Sequence, residues 1–547
     1  MQSIGRFFVR VTGVGHAGMR FETAGGSVLC DPWTNPAFFA SWVPFPDNTQ
    51  LDWKALGDVD YLYVSHLHRD HFDAVNLRDN VSKDARVLLP DFPTPELENE
   101  LRELGFRHFV RTESGVPQEI DGLRFMVTSL KGPGDGPIGD SALSLDDGTA
   151  RVVDQNDAHP LDIPKLLEFG AYDAHFTQFS GAIWWPMVYD LPEAAKREFA
   201  RRKRIGQEDR AMRYIREVGA PNIFPTAGPP CFLDDDLFRW NGLGYGDVEG
   251  QSIFTDQWEF LARMRELGDA SGSDQQGHLL LPGTTAEIRG GTVSDLTHPM
   301  PDADVRAIFE DKESYLRDFA VRAKPAIEAQ KAQWAAPKPD ILARLKEWIE
   351  PLMARADHMC TGIGGPVRMD LTGIEAAAGI GGVDDGGVLS LVFDFTDREI
   401  REYDGESCRY RWTVPATLVA TNVEHREIDW SNSLFLSVRF GATRVGQYNE
   451  YLYTFFKCLS EERMDYVENW YDAQNDDGED IVLDGWQVQA RCPHLSADLS
   501  KFGAVDGDVL TCTLHNWKFN LATGRCLTSA GHEIRATKLE DAPAAQA

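Results

Sequence analysis

The 547-residue chain is poor in basic side chains: 54 lysines and arginines stand against 86 aspartates and glutamates, a formal net charge of −32. A surface that acidic repels nucleic-acid phosphates and anionic lipid, which excludes both as general partners. Long apolar runs are missing too, and none approaches the about 18 residues that span a bilayer. Arg6 and Arg10 interrupt the first fifteen residues, so the uninterrupted apolar core of a signal peptide is not seen. Eight cysteines are too few for a disulfide scaffold. At 42% apolar and 26% charged residues the composition is that of ordinary globular protein. The length suggests two to four domains. The expectation is a cytoplasmic, multidomain protein with neither nucleic acid nor membrane as partner.

The first 160 residues alternate short β-rich runs (Phe7–Thr12, Ser27–Cys30, Tyr61–Ser65, Ala85–Leu89, Leu123–Thr128, Ala142–Leu145, Arg151–Val153) with helical pattern such as Pro95–Leu104. That mix predicts an α/β layered domain. A helix over Pro192–Val218 follows, with Lys196, Arg197, Arg201, Arg202, Lys203 and Arg204 packed into nine positions. This basic cluster reads either as a solvated helix face or as a patch for an anionic substrate or an acidic redox partner. Residues 302–356 read as helices interrupted at Pro325, Pro337 and Pro339, and the glycine-rich stretch 362–387 as turns. Val388–Phe395, Cys408–Val414 and Leu434–Phe440 read as strands and Val445–Leu459 as a helix. Residues 475–480 make an acidic linker before a β-rich tail, and 541–547 a frayed end. The expected division is 1–300, 301–474 and 475–540.

The strongest motif is Cys492-Pro-His494, then seventeen residues, then Cys512-Thr-Leu-His515. Two thiolates and two imidazoles on separate loops are the ligand set of a Rieske [2Fe-2S] centre, thiolates on one iron and imidazoles on the other. The same four ligand types serve a structural zinc site. The Cys-x-His order and the flank Trp517-Lys518-Phe519 favour the cluster, and the segment resembles the Rieske domains of ring-hydroxylating oxygenases and their ferredoxins. The second motif is the apolar run Tyr61–Val64, then Ser65-His66-Leu-His68-Arg-Asp70-His71. Four ligand-type residues in six positions after a strand can converge: His66 and His68 on one metal, Asp70 and His71 on a neighbouring one.

This second motif resembles the first metal motif of the metallo-β-lactamase fold, supported by Gly15-His16-Ala17-Gly18, Leu29-Cys30-Asp31-Pro32-Trp33 and Leu281-Pro282-Gly283. The later histidines of that fold depart from the pattern. Val127–Asp157 holds none, and Phe224–Cys231 holds none. Asp157 stands where the bridging carboxylate falls, with His159 close behind and His175 a further candidate on a strand. The remaining set suits a non-haem iron with open positions, with zinc as the alternative.

The pairing of the two modules resembles the CMP-N-acetylneuraminate hydroxylase family and its bacterial relatives; Trp430–Phe440, Arg444, Tyr448 and Asn449 resemble the family's later region more weakly. The animal enzymes carry the Rieske domain first, whereas here it comes last. The resemblance implies a metallo-β-lactamase-like αββα domain, an α+β middle region and a small all-β C-terminal Rieske domain. It also implies reductive activation of O2 at the N-terminal iron, electrons from an external reductase, ferredoxin or cytochrome, and a small polar substrate such as a nucleotide sugar or amino sugar. Catalysis falls to His66, His68, Asp70 and His71, with Asp157 and His159 as further metal ligands. Electron delivery then requires the two sites to meet within one chain or across a homo-oligomer. Two other readings compete: a zinc hydrolase with a redox appendage, and a non-enzymatic electron carrier.

Overall fold

The computed structural model describes residues 8–136, 138–243, 250–375, 378–474 and 478–539; the expected frayed end (541–547) and the first half of the expected linker (475–477) lie outside them. The chain divides into two compact units. One comprises Met1–Lys131, Asp135–Trp334 and Asn432–Arg439; the other comprises Gly132–Gly134, Ala335–Ser431 and Phe440–Ala547.

The first unit is a two-sheet sandwich. One sheet of eight strands runs Thr292–Thr297, Thr285–Arg289, Val9–Gly15, Gly18–Thr23, Gly26–Cys30, Tyr61–Tyr63, Arg86–Leu89, His108–Arg111. The other, of seven, runs Gln276–Gly277, Asn222–Thr226, Ala174–Gln178, Arg151–Asn156, Asp140–Asp146, Leu123–Leu130, Gln118–Ile120. Their facing sides bury Val11, Phe21, Tyr61, Phe125, Leu143, Phe176 and Phe224 in one core. The opposite face of the first sheet buries Leu62, Val64 and Val87 against helical Leu77, Leu97 and Leu101. Alternate residues of Tyr61–Val64 thus enter two cores, which explains why the strand is apolar on both faces. This is the αββα layering of the metallo-β-lactamase fold. Helices Asp302–Glu310 and Lys312–Lys331 pack in this unit, with Val305, Ile308, Leu316 and Phe319 against Ala40, Val43 and Phe45.

The second unit holds a five-stranded sheet in the order Glu399–Glu402, Leu389–Asp394, Pro366–Thr372, Tyr410–Pro415, Gly441–Arg444. Trp412, Trp430, Phe393, Phe395, Phe455 and Phe456 stack edge and face beside it. Two three-stranded sheets complete the C-terminal part: Asp480–Leu483, Trp486–Gln489, Ala536–Lys538; and Gly503–Asp506, Val509–Cys512, Trp517–Asn520. Among the described residues no helix is long and apolar enough to cross a membrane.

Four local expectations need correction. Leu434–Phe440 is not a strand: Ser431–Phe435 forms a π-type turn. Trp430 to Val438 are buried almost without exception of side, so the alternation that marks a half-buried strand is absent. Pro325 lies inside helix Lys312–Lys331 rather than ending it. The carbonyl it leaves unbonded belongs to Val321, which is 77% exposed, so water can take the place of the lost bond. The glycine-rich stretch contains strand Pro366–Thr372. The helix expected from Val445 begins at Glu450, capped by the Asn449 side chain on Leu452 N–H.

Candidate functional site

In the first unit the histidine motif follows strand Tyr61–Tyr63, which is hydrogen-bonded in parallel on both sides. The His68 carbonyl accepts from His71 N–H (2.9 Å) and Phe72 N–H (2.7 Å), a tight turn that folds residues 66–71 back on themselves. Asn432 braces that turn: its Nδ2 donates to the Leu67 carbonyl (2.8 Å) and its Oδ1 accepts from Arg69 N–H (3.0 Å).

Two ligand groups result. His66, His68 and Asp157 form one and His16, Asp70 and His71 the other; within each, the candidate ligand atoms lie within 4.8 Å of one another. His66 Nε2 lies 2.8 Å from His68 Nδ1, while its Nδ1 faces Ser65 Oγ (2.9 Å) and Asp140 Oδ1 (3.3 Å). His71 turns Nδ1 to Asp31 (2.8 Å) and Nε2 toward Asp157 (3.6 Å) and Asp70 (3.9 Å). Asp31 also accepts from Ser65 N–H and Oγ, so one carboxylate orients the turn and the imidazole together. His16 Nε2 lies 3.1 Å from Asp70 Oδ2.

The residues fit a metal. Asp70 Oδ1, His71 Nε2 and Asp157 Oδ1 are buried without a hydrogen-bond partner among the described residues. Such orphaned ligand atoms are costly in a core unless something binds them. Burial disfavours protonating His71, yet Asp157, Asp31 and Asp70 around it push its pKa well up. Burial and the nearby Asp157 carboxylate push the Asp140 carboxyl well above its usual range. An excess of negative charge around imidazoles is what a cation would offset.

Of the predicted residues, His66, His68, Asp70, His71 and Asp157 come together in these groups; His159 falls in neither. It is half-buried against Tyr214, at 6.1 Å between ring centroids, and burial lowers its pKa well below the usual histidine value, with the charge of Arg210 next. His175 is a core residue bonded to Gln155 at 2.8 Å. Sequence reasoning missed His16 as a candidate ligand, and the orienting Asp31 and Asp140. His16 and Asp31 lie in the hairpin motifs Gly15–Gly18 and Leu29–Trp33, and a ligand-type residue next to a glycine turn is the available signal.

In the second unit, Cys492 and His494 occupy the loop after Trp486–Gln489, closed by Cys492 N–H to the Ala497 carbonyl and Ser496 N–H to the Cys492 carbonyl (both 2.9 Å). Cys512 ends strand Val509–Cys512, and His515 sits in the turn before Trp517–Asn520. Asn516 takes the left-handed conformation (φ 59°) that this turn needs. Both sulfurs are buried and contact each other; Cys492 and the backbone N–H groups of Leu514 and His515 pull the Cys512 thiol down to about 7. The rings of His494 and His515 stand perpendicular, centroids 5.0 Å apart, and Trp517 stacks on His494 at 4.1 Å.

His494 gives the fit test for the cluster. Its Nε2 lies 3.0 Å from Glu450 Oε1, and its Nδ1 is buried without a hydrogen-bond partner. One ring nitrogen is thus tied to a carboxylate and the other left for a metal, the arrangement that fixes a ligating imidazole. Burial alone would raise the Glu450 pKa, but His494 and His532 hold it well below the carboxylate range. His532 Nε2 lies 3.2 Å from Glu450 Oε2, and its ring packs on Trp517 and stacks on Tyr451. Neither Glu450 nor His532 was foreseen.

Residues 480–536 match the Rieske [2Fe-2S] domain family, 10–153 a beta-lactamase superfamily domain, and 341–473 the Rv3818-like, SCP2-like domain. The Rieske 2Fe-2S iron-sulfur protein Rv3818 of Mycobacterium tuberculosis is 49% identical over 538 residues, covering 97% of this chain and 100% of its own. The chain belongs to the Rv3818 family of Rieske iron-sulfur proteins. Its cofactor is therefore a [2Fe-2S] cluster. These matches name the modules and not the CMP-N-acetylneuraminate hydroxylases, so only the pairing of modules carries over from that resemblance. Among solved structures, the metallo hydrolase Igni18 of Ignicoccus hospitalis covers 53% of this chain and 99% of its own at 18% identity and TM-score 0.34. The diiron β-hydroxylase CmlA of Streptomyces venezuelae covers 52% and 54% at 18% identity and TM-score 0.33. One is a hydrolase and one a hydroxylase, and fold likeness does not choose between them.

Proposed function

We propose that the chain is a Rieske-dependent non-haem iron monooxygenase or hydroxylase, drawing on O2 and on electrons from an external reductase, ferredoxin or cytochrome. In this reading Cys492 and Cys512 hold one iron of the cluster and His494 and His515 the other. His66, His68 and Asp157, with His16, Asp70 and His71, hold iron in the first unit. Bound there, the two groups would supply one-electron transfer and reductive activation of O2. Ser65 and Asp140 orient His66, Asp31 orients His71, and Glu450 orients His494. Three protein ligands in each group leave coordination positions open for O2 and a small polar substrate, a nucleotide sugar or amino sugar among the candidates.

The observation that carries the reading is the coexistence of a Rieske ligand set with two His/Asp groups, one buried and one half-buried, in one chain. Zinc has no accessible redox change and would leave the electrons without an acceptor; iron accepts them. Anaerobic metal analysis should find iron beyond the two of the cluster. His66→Ala with His68→Ala should remove part of that iron, keep the cluster spectrum and slow reoxidation of the reduced protein by O2. Reoxidation at an unchanged rate would favour the electron carrier, and zinc in place of the extra iron would favour the hydrolase.

A further inference from the structure

The basic cluster of helix Glu193–Val218 resolves into two kinds of cation. Arg201 and Arg202 share Glu198, Arg213 pairs with Glu217, and Arg204 donates to the Ser252 carbonyl. Those belong to a solvated or structural face. Lys203 and Arg210 carry no such pairing: both are half-buried, and among the described residues neither has a hydrogen bond or an ion pair, a description that Arg197 shares and that Lys196 shares apart from its place over the Trp240 ring. In a chain with 86 acidic side chains, two cations withdrawn from water without a carboxylate partner are an electrostatic cost that calls for a reason.

Their place on the helix supplies one. Positions 203, 207, 210 and 214 are spaced four, three and four apart, which puts them on one face. That face is the inward one: Gln207 is 5% exposed and Tyr214 is buried. The Tyr214 hydroxyl donates to the Pro160 carbonyl at 3.1 Å, so the face packs on the segment that directly follows strand Arg151–Asn156 and carries Asp157 and His159. Gly181, just beyond the neighbouring strand Ala174–Gln178, presses on Gln207 so closely that a Cβ there would lie 2.3 Å from Nε2. The Oε1 of Gln207 is buried without a hydrogen-bond partner. The charges of Arg210 and Lys203 reach the His159 imidazole, and Arg210 feels Asp157. Burial, then Arg210 beside it, pushes the Lys203 ammonium down to about 8, as expected of cations crowded together without a counter-ion.

We infer that Lys203 and Arg210, with Gln207 between them, form an oxyanion site that holds the phosphate or carboxylate group of the substrate next to the His66/His68/Asp157 group. The guanidinium fork matches either oxyanion with two N–H donors, the ammonium adds a point charge, and Gln207 can turn its amide to donate. Anchoring the charged end there would present the rest of the molecule to the metal ligands, converting binding at a distance into orientation at the reacting atoms. The word substrate rests on the proposed oxygenase reading; the oxyanion site itself does not.

The probe is inorganic phosphate, titrated into the full-length protein, freed of non-cluster metal, at constant ionic strength in chloride. Wild type should gain thermal stability with phosphate beyond the chloride control, and 31P NMR should give a saturable shift. Arg210→Gln and Lys203→Met should each need at least tenfold more phosphate, the loss of one charge-assisted contact, and should melt no lower than wild type without phosphate. Arg201→Gln, on the solvated face, should bind as wild type does. Arg210→Lys keeps the charge without the fork and should fall between, which covers the case in which Arg210→Gln fails to fold. Wild type indifferent to phosphate over chloride, or Lys203 and Arg210 variants that bind it unchanged, would overturn the inference. Asp157→Asn separates the two readings: phosphate binding should persist there while metal content falls. Absence of extra iron in wild type would sink the oxygenase and leave the phosphate result standing.

Discussion

Replacing Glu450 by Gln tests whether the carboxylate on His494 sets the electronics of the cluster. The substitution keeps the shape and an acceptor oxygen but removes a buried negative charge that lies 3.0 Å from His494 Nε2. That contact, the width of an imidazole ring and one metal–nitrogen bond put the charge about 7 Å from the metal, worth roughly 2.4 kcal/mol at an effective dielectric constant of ~20. For a one-electron couple this corresponds to about 100 mV. The sign follows from charge: a carboxylate beside the cluster favours the oxidised, more positive state, so removing it makes reduction easier and raises the potential. His532 shares the carboxylate and can relax toward the vacated site, so a rise of about half the full figure or more is expected. Potentiometric titration followed by electron paramagnetic resonance reads the shift, with iron and acid-labile sulfide counted to show that the cluster is fully loaded. Glu450→Asp restores the charge at shorter reach and should recover part of the wild-type value. A fully loaded Glu450→Gln protein whose potential moves by less than about 20 mV, or moves downward, refutes the coupling.

Asp157→Asn removes an anionic ligand from the His66/His68 group while leaving His16, Asp70 and His71 in place, so non-cluster metal measured by elemental analysis should fall without change in the cluster spectrum. Burial pushes the His175 pKa down to about 3. Because its folded value lies below the ordinary value of about 6.5, the unfolded chain binds the extra proton, and stability present above pH 6.5 is lost as the pH falls, by about 2 kcal/mol on reaching pH 5. Urea unfolding of His175→Asn should show a pH 5 to pH 7 difference smaller than wild type by about that amount, and an unchanged difference would mean that His175 is protonated in the fold.

Legibility from sequence followed the range of the interactions. His66 to His71 lie in six consecutive positions and the cysteine–histidine pairs in two short loops, so local spacing alone announced them. His16 joins Asp70 from a hairpin some fifty residues earlier, and Glu450 reaches His494 and His532 from a helix outside the matched Rieske segment. Those contacts are tertiary, and no periodicity encodes them. Segment 430–440 misled for a related reason: a hydrophobic alternation marks a strand only when one side meets water, and here nearly every side chain is enclosed, with Asn432 spent on bracing the histidine turn. The layered first domain was readable because its strands are short, apolar and set off by turns, each of which is a local property.

The basic helix shows where composition stops being informative and partner accounting begins. Counting charge identifies six cations in nine positions and cannot rank them, since each has the same formal charge and the helix periodicity spreads them around the axis. The structure ranks them by what each one touches. Glu198 lies within one turn of Arg201 and Arg202 and takes both, the ordinary exposed i,i+3 and i,i+4 pairing of a solvated helix face. Lys203 follows them by one position, and a step of about 100° turns it from solvent to the side shared with Gln207 and Arg210. Arg210 lies outside the dense basic run altogether, seven residues on, and only the shared face ties it to Lys203. The informative cations are therefore those withdrawn from water onto a shared inward face without a carboxylate, not those that stand closest together in sequence.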